Sequence, residues 1–161
     1  LAKGNVAVDS KWAQVETQYQ RRLDLIPNLV SSVQGIFTQE KDVFTAIAEA
    51  RKGYAGAITV DEKAAAATNV ERSLGRLLVI TENYPQLSSN QTVQNLMTQL
   101  EGAENRISVE RKRYNDEVTI FNTHLVTFPY TIIAPMFGFT KRSFFEADRN
   151  ASIAPVVKFN Q

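Results

Sequence analysis

One histidine, His124, and no cysteine leave this sequence little with which to do catalysis. His124 is preceded at i−3 by Phe121, so the Glu-x-x-His pairs with which helical bundles build di-metal centres are missing. Paired with Met97 or Met136 it would make a haem ligand set, but no attachment motif accompanies it. A serine triad would need His124 as its base, and Ser73, Ser88, Ser89 and Ser108 carry no elbow sequence. No glycine-rich phosphate loop stands between a strand and a helix. The carboxylate pairs, Glu101 with Glu104 and Glu16 with Asp24, read as salt-bridged helix faces. No catalytic residue, metal or cofactor is expected.

The densest polar stretch is Tyr19 to Val30, with Arg21, Arg22, Asp24, Pro27 and Asn28. Arg111-Lys112-Arg113 is the other basic cluster. Glu110, Asp116 and Glu117 interleave with it, so no wide basic face forms and nucleic acid is not an expected partner. Arg22, Asp24, Asn28, Glu101, Asn105 and Arg106 are expected to form interhelical polar layers that fix register. In such a layer Asp24 would pair with a buried arginine; the alternative is an exposed face available to a partner.

These side chains sit on elements with helical periodicity. Over 5–56 the stripe is Trp12, Val15, Tyr19, Leu23, Ile26, Val30, Val33 and Phe37, continued by Phe44, Ile47, Ala48 and Tyr54. Pro27 lacks an N–H and crowds the preceding turn, yet the stripe keeps its phase across it. One helix kinked at Pro27, or two nearly collinear helices, is expected rather than a hairpin at that point. The other reading makes Pro27 the first turn of a new helix, and Gly35 is a second weak point. A second helix over 61–84 is expected, capped by Asp61, with Val70, Leu74, Leu77, Thr81 and Tyr84 on one face. Gly75 inside it points to a close helix crossing. Ser89 or Asn90 caps a third helix over 90–128, about 57 Å long, striped by Val93, Leu96, Leu100, Ala103, Ile107, Tyr114, Val118, Phe121, Leu125 and Phe128.

The tail, 129–161, differs. Residues 128 to 139 are rich in phenylalanine, isoleucine and proline, and Lys141-Arg142 follow. It reads as a strap over an end or groove of the bundle, or as a membrane-interface or partner-binding patch flanked by basic residues.

Hydrophobic content of 43% and charged content of 22% are those of an ordinary globular domain, and 161 residues allow one domain with a real core. A net charge of +1 creates no overall field to gather nucleic acid or anionic membrane. No apolar run reaches the roughly 18 residues of a membrane span. The sequence begins Leu1-Ala2-Lys3 without a methionine, which leaves room for an anchor upstream.

The stretches Trp12-Ala13-Gln14-Val15-Glu16, Tyr19 to Val30, Glu49-Ala50-Arg51, Leu74 to Leu78 and Glu82 to Leu87 resemble the LemA family. So do Leu100 to Ile107, Tyr114-Asn115, Phe121-Asn122-Thr123, Phe128-Pro129, Met136 to Phe139, Phe144 to Ala147 and Pro155 to Phe159, all in family order. Gly35 to Glu40 departs from the more polar, histidine-containing segment usual in relatives, and 59–67 is short. The resemblance implies a bacterial protein with one N-terminal transmembrane helix followed by a long antiparallel helical bundle. It carries over no catalytic residue, and some relatives are associated with forming membrane-bound organelles.

The expected fold is therefore all-α: a long antiparallel up-and-down bundle of four helices, or of three with the first kinked at Pro27, with an irregular C-terminal strap, in one domain over 1–161. The expected role is a non-enzymatic, membrane-tethered scaffold of the bacterial envelope, on the periplasmic side, with envelope or membrane proteins as partners. Arg21, Arg22, Asp24, Pro27, Asn28, Phe137, Phe139, Lys141 and Arg142 are the expected interaction residues. The alternative is a sensor or carrier of a small ligand held between helices.

Overall fold

The computed structural model describes residues 1–35 and 40–145. Among them are six helices and no strand: α1 (Ala2–Gln34), α2 (Lys41–Gly56), α3 (Val60–Asn83), α4 (Pro85–Ser88), α5 (Gln91–Val126) and α6 (Tyr130–Met136). The expected all-α class is the class observed. The expectations for Phe37, Glu146, Ala147 and Pro155 to Phe159 lie outside the described residues.

The chain divides into two compact units, one of Trp12–Glu110 and a terminal unit of Leu1–Lys11 with the chain from Arg111 onward. In the 12–110 unit the Tyr54 ring lies 5.8 Å from that of Tyr19, so α2 returns antiparallel to α1. Glu16 pairs with Lys63, and Arg22 reaches Ala67, so α3 ascends beside α1 in the same direction. Glu71 of α3 and Glu104 of α5 both approach Arg22, and Glu82 and Met97 line the same cleft as they do, so α5 descends against α3. The order is up, down, up, down. Leu23, Ile26, Leu29, Val33, Ile47, Val70, Leu74, Leu77, Leu87, Val93, Leu96 and Leu100 form its continuous core.

The expected single run over 5–56 is two helices, and they part after Gln34, at Gly35, not at Pro27. Pro27 lies inside α1 on its exposed face. A proline within a helix costs about 3 kcal/mol. Ile26, Leu29 and Val33 on either side are fully buried, and each contributes about 1.5–3 kcal/mol, so continuing the helix wins. Helix α3 is capped by Thr59 rather than Asp61: the Glu62 N–H donates to the Thr59 hydroxyl, and the Glu62 carboxylate accepts from the Thr59 N–H. That Thr-x-x-Glu capping box stands in the sequence two residues earlier than the expected cap. The backbone N–H groups of Ile58 and Thr59 hold the Glu62 carboxyl below its usual range. Gly75 marks no close crossing, since nothing lies within 4 Å of where its Cβ would be. Asn90 caps α5, accepting from the N–H groups of Thr92 and Val93.

In the terminal unit Val8, Tyr114, Val118, Phe121, Leu125 and Ala134 are buried. Gly4 lets α1 approach α5 closely, because a Cβ there would stand 3.0 Å from the Phe121 ring. Helix α5 ends at Val126, before a cis Phe128–Pro129 bond. Helix α6 stops at a Schellman turn: the Phe139 N–H donates to the Ala134 carbonyl and the Gly138 N–H to that of Pro135. Gly138 takes the left-handed φ of 72° this turn requires.

Candidate functional site

Arg22 is the one expected site residue that the fold buries outright, at 1% exposure. The period explains it, since positions 19, 22, 26 and 29 fall on one face of α1. Its Nη1 donates to Glu104 Oε1 of α5 at 2.5 Å and its Nη2 to the Ala67 carbonyl of α3 at 2.7 Å. Glu71 of α3 stands 3.9 Å from Nη1, and the Tyr19 ring lies 5.5 Å from the guanidinium carbon. Nε finds no acceptor among the described residues. Tyr54 packs edge-on against Tyr19, as Tyr19 does against Trp12. Burial, reinforced by Glu16 and Tyr19, pushes the Tyr54 phenol up to about 12, with Arg22 opposing. This arrangement ties three helices together around one cation. It offers no nucleophile beside a base and no open coordination position.

The rest of the expected polar layer is elsewhere. Asp24 is exposed and accepts from Gln20 at 2.8 Å, so it does not pair with Arg22. Asn28, Glu101, Asn105 and Arg106 are exposed too. They miss the layer because their positions fall off the buried face, and Glu104 takes the place expected for Glu101. Arg21, Asp24 and Arg106 instead rim a shallow cleft between α1 and α5, of about 540 Å³, with Gly102 and Ala103 in its lining. A larger cleft of about 650 Å³ lies between α3 and α5. Leu74, Leu78, Met97 and Leu100 line it, with Glu71, Glu82, Glu101 and Glu104 around them. Among the described residues no group of three or more metal-ligating side chains is placed to hold an ion.

The terminal unit holds Phe137, Phe139, Lys141 and Arg142. Two asparagines, two turns apart on α5, grip the segment after α6 by its backbone. Asn122 donates to the Arg142 carbonyl at 2.9 Å and accepts from its N–H at 2.8 Å. Asn115 does the same for Phe145, at 3.0 and 2.7 Å. The Tyr114 hydroxyl donates to the Ser143 carbonyl, and the Arg111 guanidinium covers the Phe145 ring at 4.1 Å. Arg142 turns onto α1, donating to Asn5 at 3.2 Å and pairing with Asp9. The strap is thus fastened by residues the sequence shows only as polar positions beside a core stripe. Phe139 is half-buried, whereas Phe137 and Lys141 are exposed. His124 is exposed in the last turn of α5, its ring 6.4 Å from that of Tyr130. Among the described residues no helix is long and apolar enough to cross a membrane.

Over 85 residues the chain is 31% identical to the magnetosome proteins MamQ 1 and MamQ 2 of Paramagnetospirillum magneticum and to the magnetosome protein MamQ of Magnetospirillum gryphiswaldense. The match takes in 53% of this chain and 31% of each relative, so the chain spans under a third of the length of these curated relatives. The model of the LemA family matches residues 11–159, and the chain belongs to the LemA family.

Proposed function

We propose that this domain is a non-enzymatic scaffold of the bacterial envelope, tethered to a membrane by a helix upstream of Leu1 and holding other envelope components through the end of its terminal unit. The observation that carries this reading is the row of exposed apolar side chains on and beside α6, from Phe128 to Phe137. An exposed cluster of that kind marks an interaction surface. The relatives' description as magnetosome proteins supports a membrane setting, and the periplasmic side is the side we assign. The buried Arg22 layer fits a rigid spacer, since its polar groups are used in joining helices.

The test is recovery of the full-length protein, crosslinked in cells, from detergent-solubilised membranes. A reproducible set of co-purified envelope proteins, reduced by Met136→Asp with Phe137→Asp, supports the reading. No reproducible partner, together with a protein absent from the membrane fraction, overturns it. A second reading, a carrier of a small ligand between helices, draws on the apolar-floored cleft between α3 and α5. A concentration-dependent rise in melting temperature with a long-chain alkylammonium, abolished by Gly75→Leu, would favour it.

A further inference from the structure

We infer that the α6 end of the terminal unit inserts into the surface of an anionic lipid bilayer, which makes lipid itself one of the components held by the scaffold proposed above. The inference rests on that reading for its setting but on separate observations for its chemistry.

Helix α6 is too short to span anything and has the wrong face outward for a soluble domain. Ala134 is its buried residue, Ile132 and Met136 stand on the opposite side, and Ile133 and the C-cap Phe137 are exposed beside them. Phe128 is 76% exposed, Met136 79% and Phe137 72%. The Schellman turn fixes where the helix stops and holds Phe137 at its tip. The strap's grip on Asn115 and Asn122 fixes where the chain goes next. The apolar side chains are therefore displayed from a fastened backbone. Tyr130, partly exposed with a phenol among apolar neighbours, is the side-chain type found at the headgroup boundary.

Charge decides between a lipid surface and a protein. No aspartate or glutamate occurs between Glu117 and Glu146. On α5, Glu117 stands about 16 Å back along the helix from Phe128. Among the described residues the charged side chains nearer this end are basic. Lys141 is exposed, and so is Lys3, one residue before the Gly4 that faces Phe121. His124 is exposed on the last turn of α5. Asp9, the carboxylate brought to this unit by α1, is paired with Arg142. Among the described residues this apolar tip carries no carboxylate, and with two exposed lysines behind it, Lys3 and Lys141, it complements an anionic headgroup layer over an acyl core. A protein groove would need acidic counterparts to Lys3 and Lys141.

The experiment uses the 161-residue chain and its Phe137→Trp variant. Trp12, the one native tryptophan, is buried, so a change in emission reports on position 137. With vesicles of phosphatidylcholine containing about one third phosphatidylglycerol, emission is expected to shift to the blue and become shielded from iodide. Sedimentation with these vesicles is expected to be at least about tenfold stronger than with phosphatidylcholine alone. Ile132→Asp with Met136→Asp should lower it at least about tenfold. Both positions are exposed, so an unchanged circular dichroism spectrum is expected and shows that folding is intact. Equal binding to the two vesicle types overturns the inference, as does no binding, or an indole already shielded from iodide in buffer. If vesicle binding fails while the crosslinked full-length protein still recovers partners through α6, the scaffold reading stands and the lipid assignment falls.

Discussion

In the 12–110 unit the buried charge is the Arg22 guanidinium, whereas in the terminal unit the polar groups held are the part-buried backbone of the strap, and the two are satisfied by different means. Around Arg22 the partners are a carboxylate, a helix carbonyl and an aromatic face from three helices. Along the strap they are the neutral amides of Asn115 and Asn122, each matching one N–H and one carbonyl as a neighbouring strand would. A buried charge is costly once unpaired and makes the helix register strict. Neutral amide pairs fix the strap's backbone without a charge, and its ions, Arg142 with Asp9 and Arg111 over Phe145, add to that grip through side chains. The 12–110 unit is accordingly built to be rigid, and the terminal unit to present a surface.

The contrast is broken most strongly at Glu104. Glu104→Ala leaves the guanidinium buried with the Ala67 carbonyl and a carboxylate 3.9 Å away. Removing one partner of a buried pair typically costs 3–5 kcal/mol. Glu71 remains and Glu104 is itself 35% exposed, so a loss of about 3 kcal/mol is expected in urea denaturation. Arg22→Met should cost far less, because it takes the charge out with its partner's need for it, and Glu104 can turn to water. A larger loss for Arg22→Met than for Glu104→Ala would refute this account of the layer.

Asn122→Ala tests the other fastening. It removes one donor and one acceptor from a part-buried amide pair. About 1–3 kcal/mol is expected, and the effect should be local. Hydrogen exchange of the Arg142 amide should accelerate while amides of α3 keep their protection. Exchange that rises equally in both units would mean that the strap is no separate fastening.

Alkaline titration separates the units by chemistry. The Tyr54 phenol is raised to about 12 by burial and by Glu16 and Tyr19. A group whose folded pKa exceeds its unfolded value of about 10 contributes stability that is fully present below pH 10. That contribution is lost as pH rises through about 12. Absorbance at the phenolate band should show a step near pH 12 that Tyr54→Phe reduces by one phenol. The fastenings at Asn115 and Asn122 contain no titrating partner and should hold over the same range. A midpoint near 10 for Tyr54 would remove the buried aromatic layer from the argument.

How much of this could be read in the sequence depends on what kind of partner each residue has. The helices α3 and α5 and their core stripes follow from periodicity, as does the all-α class, because burial repeats with the helical turn. The hairpin between α1 and α2 does not follow. An apolar stripe continues in phase whether the chain runs straight or folds back, and Gly35 alone marked the place. Pro27 was the more conspicuous breaker, but its buried neighbours outweigh it. Arg22 was legible as the buried arginine of the Arg21-Arg22 pair from its position between Tyr19 and Ile26. Its partner Glu104 was not separable from Glu101, since choosing between them needs the rotation of α5. Asn115 and Asn122 were visible only as family residues, because what they bind is backbone. Backbone partners leave no trace in residue type.

Asp24→Ala carries the smallest expected effect and sharpens the comparison most cheaply. From composition Asp24 is the natural partner of a neighbouring arginine, and as half of a buried pair its loss would cost about 3–5 kcal/mol. In the structure it is exposed, takes its hydrogen bond from Gln20, and shares a shallow cleft with Arg21 and Arg106. An exposed pair of that kind is worth roughly 0–1 kcal/mol, and solvent screens it. The expected change in unfolding free energy is therefore within about 0.5 kcal/mol of zero, beside about 3 for Glu104→Ala. Measured together in one denaturation series, the two substitutions ask which carboxylate answers Arg22. A loss above about 2 kcal/mol for Asp24→Ala would move the ion pair back along α1 and take Glu104 out of the layer.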